Sequence, residues 1–215
     1  MNTPPIKCIV PWPAKTFPIL HKGETPVTVA VICLSDEDDQ AAELVKAAAP
    51  IPVVFYDGKP KPCTPIVQIY AQALAEIDAD FFVFAHQDIR GNIPAWVQNG
   101  LNVMDQHDFL GVIGWDKKGK QFWGNTSQTT VIEKCDECCF AFYKDSGLSF
   151  DPKLHWTNYS QDLCYRTTCA GYRALCVPNN IGHAQHRHGP WFVKQGFYHK
   201  DMAYVRAKWA HKLPK

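Results

Sequence analysis

The sequence predicts an α/β protein built on a three-layer, mostly parallel sheet. Three observations lead there. Strand-like runs alternate with helical stretches: VTVAVICL (Val27–Leu34), VVFY (Val53–Tyr56) and FFVFA (Phe81–Ala85) are separated by two segments of helical periodicity. The runs are β-branched or aromatic throughout, as expected of strands covered on both faces. Each of the three also closes on an acidic residue, namely Asp36, Asp57 and Asp88.

The elements follow in order. Residues 1–26 carry six prolines, Pro4, Pro5, Pro11, Pro13, Pro18 and Pro26, and read as an extended leader packed on or beside the domain. After the first strand, Ser35 or Asp36 is placed to cap a helix whose apolar stripe is Ala41, Leu44, Val45 and Ala48. Pro50 and Pro52 end it, and Val53–Tyr56 forms the second strand. Thr64-Pro65 opens a second helix with Ile66, Ile69, Tyr70, Ala73, Leu74 and Ile77 on one face. Phe81–Ala85 is the third strand. Beyond it we expect a short helix over 93–101, a glycine-bearing strand over 109–115 and a polar loop or hairpin over 117–128. A strand is expected over 135–143, a loop over 145–156, and a helix over 160–170 capped by Ser160 and ended by Gly171. A last strand spans 172–177, and Met202, Val205 and Trp209 mark a C-terminal amphipathic helix over 201–213.

A chain of 215 residues fits one fairly large domain, 27–215, and buries about 70% of its extended surface on folding. A net charge of +1 with balanced acids and bases argues against a nucleic-acid partner. No apolar stretch reaches the length of a membrane span. The nine cysteines are odd in number, several sit inside apolar runs, and the N-terminus has no signal-like core. Free thiols in a reducing, cytoplasmic setting are expected.

Candidate chemistry concentrates at the strand exits, where open parallel sheets bind ligands. In FAHQD, His86 and Asp88 stand two apart, so in an extended chain both face the same side. An imidazole and a carboxylate there can share a divalent cation, and Mn2+ accepts both donor types and diphosphate oxygens. GHAQHRHG offers His183, His186 and His188 as further ligands, against the alternative of a solvated loop. Cys135, Cys138 and Cys139 form CxxCC without a second pair at finger or ribbon spacing, so core thiols are expected over zinc, with Cys138 and Cys139 on opposite strand faces. Asp162 lies in the first turn of the 160–170 helix. There it either complements the helix terminus or acts as a general base. A dehydrogenase is disfavoured, because no GxGxxG follows the first strand.

Taken in order, VTVAVICLSDE, VVFYDG, TPIVQIYAQALAEIDADFFVFAHQDI, FLGVIGW and FDPKLHWTNYSQDLCYRTTCAGYRALCVP resemble the nucleotide-sugar-dependent glycosyltransferases of the A-type fold. The likeness is to the short, family-2-like bacterial branch with an HQD motif, and covers about Val27 to Leu213. It implies a nucleotide-diphospho-sugar transferase fold with a nucleotide-binding half (27–90), an acceptor and catalytic half (91–190) and a helical tail (191–215). The implied activity is transfer of a hexosyl or N-acetylhexosaminyl group from a nucleoside-diphosphate sugar, UDP favoured, to a hydroxyl of a carbohydrate or glycoconjugate in polysaccharide biosynthesis. The implied chemistry is an inverting displacement assisted by Mn2+ or Mg2+.

Under that resemblance Asp88 is the principal metal ligand, His86 stands where such enzymes often carry Asp, and His183, then His186, completes the metal or phosphate site. Asp57 would lie near the nucleobase, Asp36 near base or ribose, and Asp136 in the strand facing donor sugar and acceptor. Asp162 would be the base. Trp115, Trp123 or Trp156 would stack on sugar. Two departures stand out: HQD has one carboxylate, and Gln161 replaces an acidic neighbour of Asp162. A catalytically inactive nucleotide- or carbohydrate-binding protein of the same fold is the alternative, and a metal-bound interaction protein using the cysteines and late histidines is a third reading. The aromatic tail leaves a homo-oligomer open.

Overall fold

The alternation of side chains along each central strand divides the core into two layers. The computed structural model describes residues 6–7, 19–35, 38–57, 65–123, 127–184 and 196–210. Strand β3 (Thr25–Ser35) sends Val27, Val29, Val31 and Cys33 to one face and Ala30 and Ile32 to the other. Strand β5 (Phe81–Ala85) does the same, with Phe81, Val83 and Ala85 opposite Phe82 and Phe84. The first face is covered by helix α1 (Asp38–Ala48), through Ala41, Leu44, Ala47 and Ala48, and by helix α3 (Ile93–Leu101), through Ile93, Trp96, Val97 and Leu101. The second face is covered by α2 (Ile66–Glu76), α4 (Tyr159–Cys169) and α5 (Phe197–Trp209). Three layers result, as the sequence predicts.

Rings fill the second layer. Phe84 stacks on Phe140 at 5.2 Å and meets Phe150 edge-on at 5.1 Å. Tyr70 of α2 packs on Phe84 at 4.8 Å. Each such ring, fully buried, contributes roughly 1.5–3 kcal/mol by area alone.

The main sheet, nine strands among the described residues, pairs β1 (Ile6–Lys7), β4 (Val53–Asp57), β3, β5, β12 (Cys139–Tyr143), β7 (Phe109–Gly111), β13 (Ala174–Cys176) and β10 (Thr130–Val131) in that order, with β2 (Ile19–Lys22) also on β3. Strands β4, β3 and β5 are parallel, and β13 runs parallel to β7. Strand β12 is antiparallel to both neighbours.

Several expectations are revised. Residues 19–22 of the leader are a strand, hydrogen-bonded to β3 through a turn at Gly23. The strand expected over 109–115 breaks into β7 and β8 (Gly114–Trp115), which pairs with β9 (Gln121–Phe122) and β11 (Lys134–Cys135) in a small separate sheet. The strand expected over 135–143 breaks at a bend over residues 136–138. Cys138 and Cys139 therefore pack into the same core layer, since Cys138 precedes the strand. Helix α4 begins at Tyr159, with Asn158 as its cap in a left-handed conformation. The Ser160 hydroxyl, expected as the cap, donates to the Cys135 carbonyl at 3.1 Å. The C-terminal helix begins four residues early, at Phe197.

Candidate functional site

The parallel register fixes where the strand exits lie. Ser35 pairs with Asp57, and Ile32 with Phe84, so β3, β4 and β5 end at one sheet edge. His86 leaves β5 there, and Gln87 and Asp88 form a turn whose carboxylate is fully buried.

Two further segments reach this edge. Strand β12 begins where β5 ends, with Cys139 opposite Ala85, and the His86 N–H donates to the Cys138 carbonyl at 2.8 Å. That pairing brings the 136–138 bend against HQD. The second segment is β14 (Gly182–His183), which pairs antiparallel with β6 (Ile89–Arg90), placing His183 opposite Ile89. Gly91 makes this approach possible: its φ is +109°, and a Cβ there would stand 2.4 Å from the Asn180 carbonyl oxygen. The Asn92 N–H donates to the Asn180 side chain at 3.2 Å, and the Asn92 side chain caps α3 through the Ala95 N–H.

The product is a compact donor set. The ligand atoms of His86, Asp88 and His183 all lie within 4.8 Å of one another, as do those of Asp136, Cys138 and His183. His183 Nε2 stands 3.2 Å from Asp88 Oδ1, and the two imidazole rings are 5.5 Å apart. Burial disfavours a charged His183, but the Asp88 carboxylate beside it, with Asp136 further off, outweighs this and raises its pKa. Two imidazole nitrogens and a carboxylate suit a divalent first-row cation such as Mn2+. Burial, with help from Asp136, holds the Cys138 thiol well above its ordinary pKa, so it is a poorer ligand than the trio.

The zinc set suggested by CxxCC does not form, because Cys135 packs into one core layer and Cys138 and Cys139 into the other. Asp136 lies in the bend rather than in a strand, and its carboxylate accepts the Cys138 N–H at 2.8 Å. Of Asp57 the structure describes the backbone, at the end of β4. Asp36 and His186 lie outside the described residues.

Asp162 is placed differently from what a base requires. It is 1% exposed, and both oxygens are engaged. Oδ1 accepts from Lys208 Nζ at 2.7 Å and from Trp209 Nε1 at 2.8 Å, and Oδ2 accepts from Arg166 Nε at 3.0 Å. These partners make Asp162 an anchor of α5 on α4.

Two features of the site had no counterpart in the sequence reading. Glu137 lies partly buried beside Asp136, near the start of α4 at Tyr159. Burial, with Asp136 and Asp201 nearby, pushes its pKa well up. The second feature is a His155–Asp201 pair at 2.8 Å, on the loop that leads into α4. Only the DE doublet ahead of an apolar run signalled the first, and nothing local signalled the second. Next to the 134–135 strand, a cleft of about 600 Å³ is lined by Trp115, Cys135, Gln161 and Tyr165.

Comparison with solved structures settles the architecture. A mannosyltransferase, PcManGT from Pyrobaculum calidifontis, solved with GDP-Man and Mn2+, superposes with a TM-score of 0.59 at 11% identity, over 94% of this chain and 69% of its own. The chain has the A-type glycosyltransferase fold. GalNAc-T7, solved with UDP, GalNAc and Mn2+, gives a TM-score of 0.51 at 12% identity over 76% of this chain, which spans about 45% of that protein's chain. No protein-family model matches the sequence, and no curated protein matches it. Among the described residues, no helix is long and apolar enough to cross a membrane.

Proposed function

We propose that this chain transfers a sugar from a nucleoside-diphosphate sugar, UDP-linked by preference, to a hydroxyl of a carbohydrate or glycoconjugate acceptor, with inversion. The observation that supports it is the His86–Asp88–His183 donor set at the carboxyl edge of the parallel strands. That edge is where open α/β sheets hold ligands. Asp88, His86 and His183 would hold a divalent cation, Mn2+ or Mg2+, with Asp136 beside them. The ion would supply charge neutralisation for the diphosphate leaving group. Asp57, and Asp36 before the first helix, would face the nucleoside. The acceptor would approach through the Trp115–Tyr165 cleft, next to the strand that leads into Asp136 and Glu137. Buried free thiols, Cys33, Cys164 and Cys176 among them, suit the reducing cytoplasmic setting we assign.

Calorimetric titration with UDP, GDP and their sugars, each with and without Mn2+, tests this reading. Micromolar, Mn2+-dependent binding of one nucleotide is expected, and Asp88→Asn should abolish it. Equal nucleotide binding by the wild-type chain and Asp88→Asn would reject the assignment. The engagement of Asp162 favours a second reading, a binding protein of the same fold without turnover. Donor binding without transfer or donor hydrolysis would select it.

A further inference from the structure

With Asp162 occupied by Lys208, Trp209 and Arg166, a transferase built on this chain needs another group to take the acceptor proton. We propose that His155, oriented by Asp201, is that proton acceptor, an inference that rests on the transferase reading above.

The geometry is specific. Asp201, on α5, is 1% exposed, and its two oxygens divide their work. Oδ2 accepts the backbone N–H groups of His155, Trp156 and Thr157 at 3.1, 3.0 and 3.2 Å, which is enough to fasten the loop before α4. Oδ1 is given to the imidazole, at 2.8 Å from His155 Nδ1. Fastening the loop does not require that second bond. A carboxylate at Nδ1 selects the tautomer with the proton on Nδ1 and leaves Nε2 as the basic atom, on the opposite side of the ring. The ring also stacks on Phe197 at 5.1 Å, so its plane is held from two directions. The side chain is 40% exposed, which leaves the outer edge accessible to an incoming hydroxyl.

Position supports the role. The loop that carries His155 runs into α4, whose Ser160 hydroxyl donates to the carbonyl of Cys135, the residue before Asp136, and Asp136 sits beside His183. That bond holds the start of α4, just beyond His155, against the strand that leads into the bend carrying Asp136. Among the described residues the carboxylate that faces the imidazole is Asp201, from α5. Lys153, on the same loop, turns its ammonium over Tyr204, and Lys200 turns its own over Phe197.

In the proposed step the acceptor O–H proton passes to His155 Nε2 as the oxygen forms its bond to the anomeric carbon. The bond from that carbon to the diphosphate oxygen breaks, and its electron pair leaves with the nucleoside diphosphate. The imidazolium, stabilised by Asp201, then returns its proton to water.

The test uses the full chain, His155→Ala and His155→Gln. Calorimetry with the nucleotide and Mn2+ comes first and should show unchanged donor binding in both variants. Turnover, read as transfer or as donor hydrolysis with water as acceptor, should fall by about 10²–10⁴-fold. The acid limb of the pH–rate profile should disappear with it. Added imidazole should restore turnover in His155→Ala and leave the wild-type chain unaffected. Unchanged turnover in either variant, or a loss that imidazole does not restore while donor binding persists, would overturn the assignment and leave His155 a loop fastener. A wild-type chain that binds donor but turns over neither water nor acceptor would overturn the base and leave the donor site standing. Absence of donor binding by the wild-type chain would reject the transferase reading, and the base with it.

Discussion

Replacing Asp162 by Asn separates an anchor from a base. Asp162 and Asp151 are the carboxylates of a four-residue network with Lys208 and Arg166. Lys208 Nζ lies 2.7 Å from each carboxylate, and Arg166 contacts Asp162 at 3.0 Å and Asp151 at 3.6 Å. Asn keeps the shape of Asp but removes the charge, and it turns an NH2 towards N–H donors on one side. Removing one member of a buried pair costs about 3–5 kcal/mol. Lys208 keeps Asp151 and the Arg166 side chain is 29% exposed, so the lower end, ~3 kcal/mol, is the better figure. For a chain of this size that is about 6–12 °C in Tm. Urea unfolding followed by tryptophan fluorescence reads the loss, with Trp209, itself a partner of Asp162, reporting directly. Native-state hydrogen exchange should show the end of α5 opening first. Lys208→Met and the double variant close a cycle whose coupling should be substantial, because the two side chains touch. An Asp162→Asn variant with an unchanged urea midpoint and lost turnover would refute the anchor and restore the base.

Three further outcomes follow from the same geometry. Gly91→Ala forces a Cβ to within 2.4 Å of the Asn180 oxygen at a φ of +109°, so it should cost ~1–3 kcal/mol and, by moving β14, weaken Mn2+-dependent nucleotide binding as well; a Tm scan and calorimetry check both. Asp136→Asn should leave the fold intact but reduce Mn2+ affinity by about 10–100-fold, because its carboxylate faces His183; metal titration measures it. Burial raises the Asp151 pKa, but the Lys208 ammonium, the Lys153 N–H and the Tyr204 hydroxyl outweigh it and bring the carboxyl down to about 2. A depressed pKa gives stability that is present above the ordinary carboxylate value and lost as pH falls through about 2, so ~1–2 kcal/mol, after allowance for solvent screening, should disappear between pH 4 and 2. Urea midpoints across that range should fall less steeply in Asp151→Asn.

The first half of the fold was legible because its strands and helices keep one periodicity for their whole length, as Val27–Leu34 and Phe81–Ala85 do. The second half was legible only in outline. FLGVIGW reads as one strand, yet a Cβ at Gly111 would meet Cys135 Sγ at 2.5 Å and one at Gly114 would meet Ile132 at 2.5 Å. Those glycines mark close chain approaches, and the strand breaks between them. CDECCFAFY carries no such marker before its bend, which is set by the Asp136 side chain accepting the Cys138 N–H. In the site, His86 and Asp88 stood out because an apolar run stops abruptly at them. Asp162 read either as a helix-terminus carboxylate or as a base, and one of its structural partners was in view: Arg166, four residues on, is at the spacing of a helical ion pair. His155 and Asp201 lie 46 residues apart, and no local pattern links them.

The single carboxylate of HQD raises the question of how such a site gathers enough negative charge, and the strand order supplies an answer. Ligand residues at the end of a parallel strand can be joined only by others at the same edge. A parallel β12 would begin at the opposite edge and carry Asp136 away from Asp88. Because β12 runs antiparallel between β5 and β7, its beginning meets the end of β5, and the bend before it delivers a second carboxylate beside His183. The β6–β14 pair then brings His183 back from the last parallel strand across the gap opened by Gly91. The donor set is thus assembled from three distant stretches of chain. Its second carboxylate depends on the one strand of the central group that runs against its neighbours.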